Sequence, residues 1–360
     1  MKVTEPVVPP APIPPDPADP RSGAGSQHPQ DRLGQLTDLA TPYAIRAVAT
    51  LRIADLIASG VQELNALADA ADVRPGPLGR LLRYLVHRDL FAEATPEVFT
   101  LTDVGRLLCE TGAAGQRQWL DLGGLGFQMD LAYTGLLHSL RTGGAGFPAV
   151  HGRTLWEHLD EQSDQRRYFD ELMLAQQLLT APQVAQLYDW SGVRHVFDIG
   201  GGSGELLAEL LRTHPHLRGT LVDRTGPVRS SADRLATSGV SARADFVVAD
   251  FFGALPAGGD VYVVSRAITD WNDQDAATIL RRCGDAAGPR GRVLIVEVMP
   301  TQPHVPHLAP FDLQMLVTVG GQERGLDDFQ ALAWAAGLRV TGVTRGRDGL
   351  TLIECACVSS

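Results

Sequence analysis

A glycine-rich turn, Asp198-Ile199-Gly200-Gly201-Gly202-Ser203-Gly204, follows an apolar run and opens a helical pattern, and it constrains this chain more than any other feature. Glycine lets the backbone approach a ligand closely, and the free N–H groups of a helix start favour anionic groups. The same alternation continues from Val193 onward. VRHVFDI, RGTLVD, ADFVVAD, DVYVVSRA and GRVLIVEV are short continuous apolar runs, as parallel strands buried on both faces should be. Between them GELLAELLRTH, GPVRSSADRLATSG and DQDAATILRRCGDAAG carry helical spacing. After LDDFQALAWAAGL, the runs RVTGVTR and LTLIECACVS are separated only by a short Gly-containing turn, so they are expected to pair antiparallel at one edge. The expectation is a doubly wound α/β sheet closed by a hairpin.

The 360 residues are too many for one ordinary domain. Residues 1–30, with eight prolines between Pro6 and Pro20, read as a disordered tail. Residues 31–115 read as a winged-helix-like domain. In TPYAIRAVATLRIADLIASG one helix places Ile45, Val48, Ala49, Ile53, Leu56 and Ile57 on a stripe suited to dimerisation, and Gly60 ends it. Two short helices broken at Arg74–Pro77 follow, then a hairpin in FAEATPEVFTLT. The helix in PLGRLLRYLVHRDL spreads its apolar residues widely and is expected to be largely buried rather than to read DNA. Residues 116–190 read as a helical linker and pocket wall, concentrating Trp119, Phe127, Met129, Tyr133, Trp156, Tyr168, Phe169, Met173 and Trp190. Residues 191–360 hold the α/β sheet.

A net charge of −11 argues against a nucleic-acid backbone or an anionic membrane as the main partner. No run of 18 uncharged apolar residues occurs, and MKVTEPVVPPAPIPP lacks the apolar core of a secretory signal, so a cytoplasmic protein is expected. Cys109, Cys283, Cys355 and Cys357 lack zinc-site spacing and read as buried thiols, with no metal expected. His304 and His307 form no ligand set, and His151 and His158 read as structural.

Chemistry gathers at successive strand ends. The turn spacing is GxGxG, with Glu205 where a dinucleotide fingerprint needs glycine. It begins with the acidic Asp198, which would repel pyrophosphate but suits the cationic amine of a methionyl group. Asp223 ends the second strand, where a carboxylate accepts hydrogen bonds from a ribose diol. Asp250-Phe251 ends the third, offering one polar and one aromatic contact to an adenine edge.

With these motifs the chain resembles the S-adenosylmethionine-dependent O-methyltransferases of the plant-type and bacterial small-molecule group. The likeness runs from about Leu33 to Val358 through LGRLLRYLVHRDLF, FTLTDVGRLL, GRTLWEHL, YFDELM, YDWSGV, DIGGGSG, ADFF, TDWND and DLQML followed by GG and ER. Its nearest flavour is that of anthracycline tailoring enzymes, in which methylases and an aclacinomycin-type hydroxylase share one framework. The resemblance implies a Rossmann-like class I methyltransferase domain with an N-terminal helical, winged-helix dimerisation domain, and hence a homodimer. It implies that S-adenosylmethionine is held by Arg166, Asp198, Gly200, Gly202, Asp223, Asp250, Phe251, Ser265 and Trp271. Phe169, Met173, Asp270 and Gln314 are implied to face an aromatic or polyketide-like substrate.

The catalytic position departs from the family pattern. Many members carry a histidine base in an L-H-D-W segment, and here the segment is Ile268-Thr269-Asp270-Trp271. Thr269 cannot act as a base near neutral pH. Glu297 and Glu323 match the carboxylates that flank that histidine, and Asp270 either contacts substrate or serves as a weak base. The reading is O-methylation by proximity and orientation in natural-product biosynthesis. The alternatives are a cofactor-binding enzyme that hydroxylates, decarboxylates or cyclises instead, and a winged-helix DNA-binding regulator.

Overall fold

The computed structural model of the protein describes residues 28–110, 116–299 and 309–358. Most of the Pro-rich tail, and both His304 and His307, lie outside the described residues. The chain divides into two compact units, Met1–Gly112 and Ala113–Ser360.

In the first unit, helices Pro29–Leu36, Ala40–Thr50, Ile53–Ala58, Leu64–Ala70 and Pro75–Val86 precede an antiparallel hairpin of β1 (Phe91–Thr95) and β2 (Val98–Leu101). This is the winged-helix order, with three corrections. The expected single helix after Thr41 is interrupted, because Arg52 takes the left-handed conformation (φ 55°) and restarts the chain as a second helix. The apolar stripe is also not free for a partner: Val48, Ala49, Ile53 and Ile57 are already buried within the single chain. Leu33, Leu36, Leu39 and Tyr43 are the apolar residues left exposed at the start of the unit. The helix Pro75–Val86 is amphipathic rather than largely buried. Leu78, Leu82 and Leu85 face inward while Arg80, Arg83 and His87 are exposed. Arg83 pairs with Glu93 at 3.3 Å, and Arg88 just beyond the helix pairs with Asp38 at 3.2 Å, so two of the cations near this helix are matched by acids of the same unit.

The second unit is built on a seven-stranded sheet of β3 (His195–Ile199), β4 (Arg218–Asp223), β5 (Ala244–Val248), β6 (Val261–Ser265), β7 (Arg292–Val298), β8 (Leu338–Arg345) and β9 (Leu350–Cys357). The order is β5-β4-β3-β6-β7-β9-β8, with β9 antiparallel to both neighbours. Side chains alternate across a strand. Val261 and Val263 therefore join one apolar cluster, with Leu207, Leu211 and Trp190, while Tyr262 and Val264 join a second, with Ile279, Leu280 and Phe329. With both faces covered, the sheet leaves its edges and strand ends for polar chemistry. Register brings those ends level: Ile199 lies opposite Val222 and Val264, Ser265 opposite Val296, and Val298 opposite Leu350.

The helical segment from Gln116 to Leu187 belongs to the same unit as the sheet. Its aromatic and sulfur side chains divide between two fates. Met129 and Phe147 are core with Leu125 and Val317, whereas Trp156, Phe169 and Met173 reach a cavity. Of the four thiols, Cys283 and Cys355 are buried and Cys109 and Cys357 are half-buried. Among the described residues no helix is long and apolar enough to cross a membrane.

Leu207 is fully buried and Leu140 is 68% exposed. In chemical denaturation Leu207→Ala is expected to cost about 2–5 kcal/mol, and Leu140→Ala to stay within about 0.5 kcal/mol of the parent.

Candidate active site

A cavity of about 510 Å³ opens where β3 to β7 end, walled on one side by the helix Ser163–Leu187. The turn after β3 forms its floor. Gly200, Gly202 and Gly204 all have positive φ (69°, 55° and 76°), a conformation that side-chain-bearing residues rarely adopt. A Cβ on Gly201 would lie 2.8 Å from Asp198 Oδ2, so the Asp198 carboxyl packs directly beneath the turn. Asp198 is buried, and its Oδ2 has no hydrogen-bond partner among the described residues. Burial, with the charge of Asp223 adding to it, pushes that carboxyl up to about 7. Asp223 accepts hydrogen bonds from the Gly202 N–H (2.9 Å) and the Arg224 N–H (2.7 Å), and burial raises its pKa as well. The Ser203 hydroxyl donates to Gln177 Oε1 at 2.7 Å and ties the turn to the wall helix.

Three aromatic rings line the adjoining wall. Phe251 and Phe252 each meet Trp271 edge to face, with centroids 5.7 and 4.8 Å away, a favoured aromatic geometry. Arg166 lines the cavity from the helix side, and its guanidinium donates to Asp170 at 2.9 Å.

Beyond β6 the chain makes a tight excursion. Arg266 is left-handed (φ 55°), and Ile268–Asp270 form one turn of 3₁₀-helix. A buried clamp fixes this segment. The side chain of Arg324 is fully buried and donates to the carbonyls of Ile268 (3.0 Å) and Trp271 (2.7 Å) and to Asp273 Oδ1. The Gln322 N–H donates to the Thr269 carbonyl at 3.0 Å, and a Cβ on Gly321 would lie 2.0 Å from that oxygen. The close approach requires glycine there.

Three acids gather around this excursion. Asp270 lines the cavity, Glu297 is buried at the end of β7, and Glu323 is half-buried. Neither oxygen of Glu297 makes a side-chain hydrogen bond among the described residues, and Arg266 Nε stands 3.8 Å from its Oε2. Burial pushes both Asp270 and Glu297 up to about 7, an effect that Arg266 opposes. Glu323 is raised for the same reason and in the same field.

The chain matches the model of the O-methyltransferase domain over residues 133–339 and that of the O-methyltransferase dimerisation domain over residues 35–111. It belongs to the O-methyltransferase family. It is 42% identical to the 2,7-dihydroxy-5-methyl-1-naphthoate 7-O-methyltransferase of Streptomyces carzinostaticus, over 86% of this chain and 92% of the relative. Aclacinomycin 10-hydroxylase RdmB of Streptomyces purpurascens is 38% identical over 91% of this chain and 90% of that one. A crystal structure of NcsB1, an O-methyltransferase from neocarzinostatin biosynthesis in complex with S-adenosylmethionine and 2-hydroxy-5-methyl naphthoic acid, superposes with a TM-score of 0.82 at 40% identity, covering 91% of this chain and 98% of that one. The family uses S-adenosylmethionine.

In this O-methyltransferase the cavity brings together Arg166, Gly200, Gly202, Asp223, Asp250, Phe251, Ser265 and Trp271, and with them Phe169, Met173 and Asp270. Asp198 lies beneath that lining rather than in it. Thr269 is buried, and with Glu297, Glu323 and Gln314 it does not line the cavity; Gln314 lies half-buried on the helix Ala309–Val319. Sequence reasoning missed Arg266, Gln177 and Phe252. The signal for Arg266 was a charged residue one position past an otherwise apolar strand, and for Phe252 the doubled aromatic after Asp250.

Folding raises the Glu297 pKa from the ordinary 4.5 to about 7. A carboxyl raised in this way is penalised only when ionised. The penalty is absent in acid, grows as pH climbs above 4.5 and is complete above 7. Glu297→Gln is therefore expected to gain stability relative to the parent between pH 5 and pH 8, by about 1–3 kcal/mol, measured by denaturant unfolding at the two values.

Proposed function

We propose that the protein catalyses S-adenosylmethionine-dependent O-methylation of a phenolic hydroxyl on an aromatic or polyketide-like small molecule in natural-product biosynthesis. The observation that supports this most is one continuous cavity running from the glycine turn and Asp223 to the Asp270 carboxyl. It joins a nucleoside-sized end to an acceptor end. The residues fit the cofactor: Asp198 offers an unpartnered buried oxygen beneath a turn with room only for glycine, which suits an ammonium group nearby. Asp223 would accept from ribose hydroxyls, Asp250 and the rings of Phe251 and Trp271 would flank the adenine, and Arg166 would face the carboxylate. Gly200, Gly202 and Ser265 would present backbone.

When bound, S-adenosylmethionine supplies a methyl group on a cationic sulfur. The chain's own contribution is placement. Phe169 and Met173 would hold an aromatic face, and the clamped excursion would aim Asp270 at the acceptor hydroxyl. Gln314, expected to face the substrate, lies outside the cavity lining. Holding two reactants in attack geometry is worth up to about 7–11 kcal/mol, whereas a base contributes about 10² to 10⁴ in rate. Loss of the histidine at Thr269 is thus tolerable for an acidic acceptor, with Glu297 and Glu323 setting the field around Asp270.

A second reading has support of its own: residue 269 lacks a base, and one relative at 38% identity is a hydroxylase. In that case the cofactor's fixed positive charge would stabilise an anionic intermediate. We further propose a homodimer, with the exposed Leu33, Leu36 and Leu39 rather than the buried 45–57 stripe supplying apolar contact. Sedimentation of the full chain as a dimer, and as a monomer after Leu33, Leu36 and Leu39 are changed to Gln, is the expected outcome.

Incubation with 2-hydroxy-1-naphthoic acid and 1,4-dihydroxy-2-naphthoic acid in the presence of methyl-deuterated S-adenosylmethionine tests the main reading. A labelled methyl ether is expected. A changed acceptor with the cofactor unconsumed would support the second reading instead. Asp223→Ala is expected to weaken S-adenosylmethionine binding at least tenfold in calorimetry, about 1.4 kcal/mol or more.

A further inference from the structure

Arg266 follows directly on β6 and lines the cavity together with Asp270 and Val298. Its backbone is held in the left-handed region, and its N–H donates to the Val296 carbonyl at 2.9 Å. A non-glycine residue kept there costs conformational energy that the surroundings must offset, and such positions cluster at functional sites. The guanidinium offers five donors. None makes a hydrogen bond to a described residue, and the contact to Glu297 is a single approach of 3.8 Å. An arginine kept for structure alone docks its planar fork on a carboxylate at hydrogen-bond distance, as Arg324 does on Asp273 at 2.9 Å. Arg266 instead lines the cavity with three acids, Asp270, Glu297 and Glu323, in its field.

We propose that Arg266 carries the acceptor's reacting oxygen as an oxyanion, with Asp270 receiving the proton as that oxygen ionises. This rests on the methyl-transfer reading above. The phenol O–H bond breaks, its proton passes to a carboxylate oxygen of Asp270, and its electron pair stays on the phenolate oxygen opposite the guanidinium. The phenolate then forms the O–CH₃ bond as the S–CH₃ bond breaks, with that pair passing to sulfur, and Asp270 later returns its proton to solvent. Through the first step the net charge of the cluster is constant. Protonated Asp270 stops competing for Arg266 as the phenolate begins to need it.

The groups that set this balance come from every side: Asp270 from the 3₁₀ turn, Glu297 from β7, Glu323 and Arg324 from the clamp, Asp312 from the helix Ala309–Val319, and Arg347 with Asp348 from the β8–β9 turn. Arg266 is the cation that acts on Asp270, Glu297 and Glu323 alike. Its loss would remove the one cation that these three acids share from beside the developing anion.

The test uses the full chain saturated with S-adenosylhomocysteine and the probe 4-nitro-1-naphthol, whose anion is coloured. Titrated by absorbance, the bound probe is expected to ionise about 1–3 pH units below the free probe. In Arg266→Gln that shift is expected to vanish, while Arg266→Lys, which keeps the charge, retains part of it. Calorimetry of S-adenosylhomocysteine within threefold of the parent shows that each variant is folded. Equal probe pKa values in parent and Arg266→Gln, or no probe binding to the parent, would overturn the proposal. A lowered pKa without methyl transfer to any phenol would uphold the oxyanion site and count against the functional reading, so the two failures are separable.

Discussion

A carboxylate sealed at the end of a buried strand, with neither oxygen in a side-chain hydrogen bond, sets the terms for everything around it. Glu297 is tolerated because burial shifts it toward its neutral form and because Arg266 lies within reach. The same arginine is the left-handed residue through which the chain leaves β6. The next turn brings Asp270 to the cavity, and a second, wholly buried arginine holds that turn through its carbonyls. If Glu297 were apolar, the excursion would lose the anion that keeps its cation at the cavity rather than in solvent.

The sheet makes this arrangement possible. Because both faces of β3, β6 and β7 are packed, polar groups are admitted only where strands end, and register places those ends side by side. One end of the cavity is acidic and cradled by glycine turns, suited to a cationic amine and a ribose. The other mixes apolar walls with the Arg266 cluster. The similarity to both a naphthoate methyltransferase and a hydroxylase is intelligible in these terms. A site that stabilises an oxyanion next to a sulfonium is not tied to one outcome, and the acceptor's own chemistry decides between alkylation and rearrangement.

Much of the fold was legible in the sequence, since the five parallel strands of the large sheet lie in short apolar runs bounded by turns, and the closing hairpin carries its own Gly-containing turn. The cavity was legible in part too, because Gly200, Asp223 and Asp250, at strand ends in order, line it, while Asp198 lies beneath the lining. What periodicity could not reveal was the break at Arg52, which depends on a left-handed residue that no pattern of apolar positions marks. Nor could it reveal that the 45–57 stripe is consumed within one chain, because an apolar stripe reads the same whether its partner is intramolecular or a second copy. Arg266 escaped for a related reason. Its importance lies in its setting, and a cation among acids from three separate segments exists only after folding.

The pH dependence of single-turnover methyl transfer tests the central claim most directly, with enzyme and S-adenosylmethionine in excess over a phenolic acceptor. A carboxylate that must be ionised to receive the phenol proton, and whose pKa burial has moved up to about 7, predicts a rate constant that rises through one ionisation near neutrality. In Asp270→Asn that limb should be absent and the rate lower by about 10² or more. A rate constant flat from pH 5 to 9 in the parent chain, or an Asp270→Asn profile superimposable on it, would contradict the account.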